Sequence, residues 1–189
     1  MNVYDSLGDG YRRMGDIAVR QLRAGDADAY RRLRLRGLRE SPPAFAESEQ
    51  EFASQPNAHV VATLEDPAGL SSVFGAFHDT GELVGVVGVT RDALEKMHHK
   101  GYIWGMYVAS EHNRRGIGKQ LLTTAIAHAR GTPGIEQLRL IVGEANAGAR
   151  RLYESVGFKP FGLELRELKT DGQYYDSVHM WLDLRGTHT

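Results

Sequence analysis

The amino-acid sequence predicts an α/β (α+β) fold in which one domain is built on a mixed, mostly antiparallel sheet. Strand-like and helix-like segments alternate in the order strand, helices, three strands, helix, strand, helix, two strands. One helix-like segment joins two strands and predicts a parallel pair, whereas short turns join other neighbours and predict antiparallel pairs. No repeat, charge run or long linker divides the chain, so we predict a single domain over residues 17–185. Residues 1–16 are polar and Gly-rich and are expected to form a tail, partly disordered in the free chain.

The first third of the chain is expected to form a strand followed by helices. Residues 17–23 alternate apolar and polar side chains, which is typical of a strand. Asp26 offers an N-cap for the next helix, and Pro42 and Pro43 are expected to end it. Three apolar residues share one face of this helix: Tyr30, Leu33 and Leu38. A short second helix is predicted over residues 47–54.

The middle of the chain is expected to form three consecutive strands. Residues 71–78 and 83–91 flank the turn sequence at 79–82 and predict a hairpin. Residues 101–108 form a third apolar and aromatic run. A helix is predicted from about residue 117 to residue 130, because apolar side chains recur there at helical spacing.

The last third is expected to add one strand, one short helix and a hairpin. Residues 137–142 predict the strand, and residues 147–156 predict a helix that closes at Gly157. Residues 161–184 read as two strands joined by a turn at 170–172.

The composition argues against several functional classes. The 23 basic and 24 acidic residues give a formal charge of −1, which argues against a nucleic-acid partner. No apolar run approaches the roughly 18 residues of a membrane span, so we expect no membrane partner and a cytoplasmic location. Cysteine is absent, so an acyl group would not pass through a cysteine. His98 and His99 lack metal-ligand spacing, and no metal site is expected.

A glycine-containing segment at residues 113–118 (NRRGIG) lies between a predicted strand and a long predicted helix. Such a junction presents unpaired backbone amides at the positive end of the helix dipole and suits a phosphate-bearing ligand. Leu121 stands where a dinucleotide fingerprint needs its third glycine, and Gln120 stands where a triphosphate loop needs Ser or Thr. Taken alone, the segment is equally consistent with a tight turn.

A second segment at residues 146–158 (NAGARRLYESVGF) makes the first one more specific. Together they resemble the GNAT superfamily of acyl-CoA N-acyltransferases. Its hallmarks are an Arg/Gln-x-x-Gly-x-Gly/Ala loop and, further along, an Asn-x-x-Ala-x-x-x-Tyr-x-x-x-Gly-Phe segment. The order of elements also fits, so the resemblance covers nearly the whole chain and implies a sheet of about six or seven strands with helices on both faces. Asn113 departs from the family pattern, which has Arg or Gln at this position.

The resemblance implies that acetyl-CoA (CoA) is the cofactor and that it wedges between the strands ending near Val108 and Val142. Backbone amides of residues 114–119 would hold its pyrophosphate, and Met106 and Val108 would pair with the pantetheine arm. The Val108 amide would polarise the thioester carbonyl. The residues implied to bind the cofactor are Met106, Val108, Asn113, Arg114, Arg115, Gly116, Ile117, Gly118, Lys119, Asn146 and Tyr153.

The resemblance also implies that Tyr153 is catalytic and protonates the departing thiolate. A phenol with a pKa of about 10 is protonated at neutral pH and can donate to a thiolate. The alternative is that Tyr153 only packs on its helix. Asn146 is expected to cap that helix as well as to contact the pantetheine.

The general base is left unassigned. Ribosomal-protein acetyltransferases of the family carry a glutamate at the position of Ile141, five residues before Asn146. The remaining candidates are Glu47, Glu49, His78, Tyr107, Glu111 and Asp176.

The acceptor amine is expected to enter from the face opposite CoA. Candidate substrate-binding residues are Phe45, Trp104, Tyr107, Tyr174, Tyr175 and Asp176. Aromatic rings with a carboxylate suit a cationic amine, although the aromatic residues could equally be core residues of strands. The arginine-rich first helix is interpreted as a solvated face, with the CoA 3′-phosphate or a partner chain as alternatives. Its arginines are Arg31, Arg32, Arg34, Arg36 and Arg39.

The expected activity is acetyl transfer directly to a primary amine of a small molecule. Protein or peptide N-acetylation, a non-catalytic acyl-CoA-binding module and an unrelated nucleotide-binding domain remain as alternatives. Exposed strand edges and the last hairpin are compatible with a homodimer.

Overall fold

An eight-stranded sheet organises the protein in a computed structural model that describes residues 12–14, 17–66 and 68–185. The strands are β1 Arg12–Met14, β2 Ile17–Gln21, β3 Ser71–His78, β4 Leu83–Arg91, β5 Lys100–Val108, β6 Gln137–Gly143, β7 Lys159–Thr170 and β8 Gln173–Asp183. Their order across the sheet is β1-β2-β3-β4-β5-β6-β8-β7. Only β5 and β6 pair in parallel within this described sheet. The predicted fold class is confirmed.

The sheet extends into the segment that we expected to be a tail, because β1 pairs with β2. The rest of that expected tail, residues 1–11, 15 and 16, lies outside the described residues.

The described part of the chain contains five α-helices. They are α1 Ala27–Glu40, α2 Glu49–Ser54, α3 Asn57–Glu65, α4 Ile117–Gly131 and α5 Ala147–Glu154. We did not predict α3, which begins directly after Pro56 and buries Val60 and Leu64 one turn apart. Asp26 is the N-cap residue of α1 as predicted, but its carboxylate binds Arg20 at 2.6 Å instead of capping a helix amide.

Each face of the sheet has its own core. On one face α4 buries Leu121, Leu122 and Ala125 completely against β3, β4 and β5. On the other face α1 buries Tyr30 and Leu33, with α2 and α3 packed beside it. Burying a leucine fully contributes about 1.5–3 kcal/mol, so the α4 contact anchors this helix firmly to the sheet.

The parallel strands β5 and β6 separate along their length. Ladder pairs join Lys100–Tyr102 to Gln137–Arg139 and no further. Beyond them β5 carries a bulge at Gly105, whose φ of 63° is in the left-handed region that favours glycine. The extra residue changes which side chains face which core. Met106 packs, like Ile103, in the core beneath α4, whereas Tyr107 packs, like Trp104, in the core beneath α1.

Two features are absent from the described ranges. None of their helices is long and apolar enough to cross a membrane. Nor do they contain a group of three or more His, Asp or Glu side chains placed to hold a metal ion.

Candidate functional site

An open cleft of about 720 Å³ lies where β5 and β6 diverge, next to the N-termini of α4 and α5. Its lining includes most of the residues predicted for cofactor binding: Met106, Val108, Asn113, Arg114, Gly116, Ile117, Gly118, Lys119, Asn146 and Tyr153. Arg115 is not among the lining residues. The two sequence segments singled out above therefore meet in one cleft.

The loop before α4 has the backbone geometry of an anion-binding turn. Arg114 (φ 63°) and Gly116 (φ 78°) are both left-handed, and Gly116 is the N-cap residue with no side-chain cap bond. The first amides of a helix have no intrahelical partner, so those that follow Gly116 are donors at the cleft. A Cβ at Gly118 would lie 3.1 Å from Leu152 Cδ2 and 3.2 Å from Met106 Cε. Only a small residue therefore lets this turn pack so closely on its neighbours.

Tyr153 lies at the inner wall of the cleft and is 8% exposed. Its ring packs edge-on against Phe158, with the centroids 6.1 Å apart. Burial raises the pKa of the Tyr153 phenol to about 12, so the phenol is protonated at neutral pH. Its hydroxyl makes no hydrogen bond to a described residue, and it is not among the fully buried atoms that lack a partner. The predicted helix cap is confirmed, because the Asn146 side chain accepts from the amide of Ala149 at 3.1 Å.

A tyrosine–glutamate pair lines the same cleft, and the sequence did not reveal its glutamate. The Tyr107 hydroxyl donates to Glu40 Oε2 at 2.6 Å, and Arg36 Nε donates to Glu40 Oε1 at 2.7 Å. Both bonds lower the pKa of Glu40, and the bond from Tyr107 has the larger effect. Burial and the bond to Glu40 raise the pKa of Tyr107. Gly37 makes room for the ring, since a Cβ there would lie 2.9 Å from Tyr107 Cγ.

The other candidate bases do not line this cleft. Glu49 pairs with Arg39 at 2.5 Å. Glu111 pairs with Arg36 at 2.5 Å, which lowers the pKa of Glu111 to about 2. The rest lie elsewhere, namely Glu47, His78 and Asp176.

A second cavity of about 590 Å³ lies on the α1 face of the sheet. It shares four lining residues with the cleft: Ala44, Phe45, Ile141 and Gly143. Trp104 lines the second cavity and donates from Nε1 to Thr90 Oγ1 at 2.7 Å. Of the other predicted acceptor residues, Phe45 lines both spaces and Tyr107 lines the cleft. Neither space is lined by Tyr174, Tyr175 or Asp176.

Two guanidinium groups line the second cavity. Arg34 is 8% exposed, so the expectation of a solvated face is wrong for this arginine. Its Nη2 donates to Glu47 Oε2 at 3.2 Å, and its Cζ lies 4.4 Å from the centroid of the Phe45 ring. Arg139 Cζ lies 5.3 Å from the Phe161 ring centroid. Arg34 Nη1 and Arg139 Nε are buried without a hydrogen-bond partner among the described residues, which costs about 1–3 kcal/mol each.

The chain is similar in sequence to known acetyltransferases. The profile of the family described as Acetyltransferase (GNAT) family matches residues 31–158. Mycothiol acetyltransferase of Thermobispora bispora is 41% identical over 58 residues, which are 31% of this chain and 19% of that protein. N-acetyltransferase 8 of Homo sapiens is 33% identical over 92 residues, which are 48% of this chain and 40% of that protein. The chain thus spans less than half the length of either relative.

Solved structures share the fold. The structure of yncA from Salmonella typhimurium with its cofactor acetyl-CoA has a TM-score of 0.80 and 19% sequence identity. The match covers 93% of this chain and 98% of that chain.

Proposed function

The chain belongs to the GNAT family of acetyltransferases, and on that premise we propose that it transfers an acetyl group from acetyl-CoA directly to a primary amine of a small molecule. The observation that carries the proposal is the cleft between the diverging strands β5 and β6, with the left-handed loop and the N-terminus of α4 at its mouth.

The residues of the cleft fit acetyl-CoA. The amides at the start of α4 would bind the pyrophosphate, and Arg114 and Lys119 would add positive charge. Because β5 is unpaired with β6 beyond Tyr102, the backbone of Met106 and Val108 can pair with the pantetheine arm. The bound cofactor supplies the activated acetyl thioester.

Tyr153 would act as the general acid. In the transfer, the amine nitrogen bonds to the acetyl carbon, the carbon–sulfur bond breaks, and the thiolate takes the Tyr153 hydroxyl proton. The proton that the nitrogen loses on becoming an amide returns through water to the Tyr153 phenolate. The protonated phenol and the absence of a competing partner among the described residues support this role.

Glu40 and Tyr107 would remove the proton from the ammonium group. Tyr107 can accept that proton as it passes its own to Glu40, since the two oxygens are 2.6 Å apart. Glu40 would release the proton to water, because part of its side chain is exposed. The pair thus supplies the base that we could not name from the sequence.

A small acceptor is favoured because the second cavity adjoins the cleft through shared lining residues and has a volume of about 590 Å³, suited to a small ligand. Residues Pro43–Glu47 form part of the wall of the second cavity.

Calorimetric titration with acetyl-CoA, CoA and ADP tests the cofactor assignment. We expect micromolar binding of acetyl-CoA and CoA and weaker binding of ADP. Tighter binding of ADP would favour a nucleotide-binding domain instead, and no binding of acetyl-CoA would refute the proposal.

A thiol-release screen then tests the transfer itself. We expect release of CoA with small amines. Transfer to peptides alone would indicate a protein acetyltransferase, and binding without any transfer would indicate a non-catalytic module.

We also propose a homodimer formed through β7, which is the last strand of the sheet. Phe161, Leu163 and Leu165 on this strand are 51%, 58% and 68% exposed. Apolar side chains clustered on an edge strand are typical of an interface.

A further inference from the structure

Resting on the proposed function, we infer that the acceptor amine also carries a carboxylate, and that Arg139, assisted by Arg34, binds this carboxylate in the second cavity. The acceptor would thus be an amino acid or a molecule of that chemical class, not a polyamine or another purely cationic amine.

Two donor nitrogens of the second cavity have no hydrogen-bond acceptor among the described residues. Three buried side-chain N or O atoms in the described residues have no hydrogen-bond partner, and two of them are guanidinium nitrogens of this cavity, Arg34 Nη1 and Arg139 Nε. No carboxylate oxygen is among the three. Buried donors without partners are rare in folded proteins and call for an explanation. An anionic ligand would supply acceptors at this place.

The charges of the cavity point to the same ligand. Arg34 is balanced by Glu47, which Gln55 Nε2 holds in place by donating to its Oε1 at 2.6 Å. His179 Nε2 lies 2.8 Å from Glu164 Oε2. Arg139 has no ion pair with any described residue, and the face of Phe161 covers one side of its guanidinium.

The planar fork of arginine matches a carboxylate through two parallel hydrogen bonds. Arg139 is therefore the principal anchor in the proposal. Glu167 also lines the cavity without an ion pair among the described residues, and its oxygens are not among the buried atoms that lack a partner. Water can therefore satisfy Glu167, whereas Arg139 Nε has no acceptor among the described residues, although Arg139 lines the cavity.

The two spaces fit the two ends of one small molecule. Phe45 and Ile141 line both the cleft and the second cavity, so the spaces adjoin at these residues. An amine placed here can face the cleft while a carboxylate on the same molecule faces Arg139. A second ammonium in that position would instead meet an unpaired positive charge, which disfavours polyamines.

Matched acceptor pairs test the inference in a thiol-release assay with acetyl-CoA. Each pair consists of an amino acid and its carboxamide, such as L-leucine and L-leucinamide, and spermidine is the dicationic comparison. We expect kcat/KM to be about 10- to 100-fold higher for the preferred amino acid than for its carboxamide.

The variant Arg139→Gln identifies the anchor. We expect it to raise KM for the carboxylate acceptor about 30- to 100-fold while kcat changes little, and to leave KM for the carboxamide unchanged. Arg139→Lys, which retains the charge but not the fork, should recover part of the loss. Arg130→Gln removes an exposed guanidinium from α4 on the opposite face and should change neither constant.

The outcomes separate this inference from the proposed function. If acetyl-CoA does not bind in calorimetry, both fail. If acetyl-CoA binds and small amines are acetylated, but carboxamides or spermidine react as well as amino acids, only the inference fails. It fails alone also if the amines that react include none with a carboxylate. It also fails if Arg139→Gln, with an unchanged melting temperature, affects both members of a pair equally.

Discussion

At the scale of single residues, the ring and the hydroxyl of Tyr153 have different surroundings, so one substitution can separate its chemical role from its structural role. The ring packs in the core against Phe158, whereas the hydroxyl has no partner among the described residues. Tyr153→Phe would keep the packing and remove only the proton donor. We expect kcat to fall about 100-fold or more, with the KM for acetyl-CoA and the melting temperature nearly unchanged. Steady-state thiol release and thermal unfolding measure these quantities.

The pH dependence provides a second test of Tyr153. A general acid acts only when protonated, so its loss would appear as a fall in kcat as pH rises through its pKa. Because burial raises that pKa to about 12, kcat should not fall between neutral pH and about pH 10 on account of Tyr153. Full activity of Tyr153→Phe would show that the tyrosine serves only for packing.

Glu40 is tested by a change that keeps its shape. Glu40→Gln can still accept from Tyr107 but cannot take up a proton, so we expect kcat to fall about 10- to 100-fold with intact acetyl-CoA binding. Glu49→Gln is the matched control, since Glu49 also pairs with an arginine of α1 but does not line the cleft. Equal effects of the two variants on kcat would show that only the surface ion pairs matter.

At the scale of elements, the loop before α4 depends on a left-handed residue at Gly116. Alanine at a φ of 78° costs about 1 kcal/mol or more, and relaxation of that strain would turn the first amides of α4. We therefore expect Gly116→Ala to lower the free energy of unfolding by about 1 kcal/mol and to weaken acetyl-CoA binding about tenfold. Chemical unfolding and calorimetry measure the two effects.

Gly131→Ala is the control at the other end of the same helix. A Cβ at Gly131 meets nothing within 4 Å, and its φ is not left-handed. This variant should bind acetyl-CoA normally. If Gly116→Ala also binds normally, the left-handed turn is unnecessary for holding the pyrophosphate.

Elements with strong local signals were predictable from the sequence. The hairpin β3–β4 lies over the predicted residues, because two apolar runs and the turn at 79–82 specify it locally. The sequence does not predict helix α3, since it buries only Val60 and Leu64 and since Pro56, which precedes it, also suits the end of the helix before it. Proline is also tolerated next to the first turn of a helix, so the same residue fits both interpretations.

The site was predictable only where it is made of local backbone. The backbone conformation of residues 113–118 and 146–158 is determined by their local sequence, and both segments line the same cleft. Glu40 and Arg34 gave no signal, because each is one charged residue in an arginine-rich helix. Their positions at the cleft and the second cavity arise from the packing of α1 across β5, which no short segment encodes.

At the scale of the whole molecule, the exposed apolar side chains of β7 lead to a prediction about assembly. If β7 forms the interface of a homodimer, Leu165→Glu would place a charge in it and shift the mass from dimer to monomer. Burying a charge without a partner costs several kcal/mol, so the shift should be complete at micromolar concentration. Sedimentation equilibrium measures the mass.

Leu94→Glu is the matched control, because Leu94 is 66% exposed but lies between β4 and β5, away from this edge. It should leave the mass unchanged. The two variants also separate assembly from cofactor binding, since β7 lines the second cavity through Phe161, Glu167 and Leu168 but does not line the cleft. A monomeric Leu165→Glu protein should therefore bind acetyl-CoA as tightly as the unmodified protein and show a raised KM for the acceptor alone. A monomeric mass for the unmodified protein would refute the interface, and the apolar edge would then need another partner.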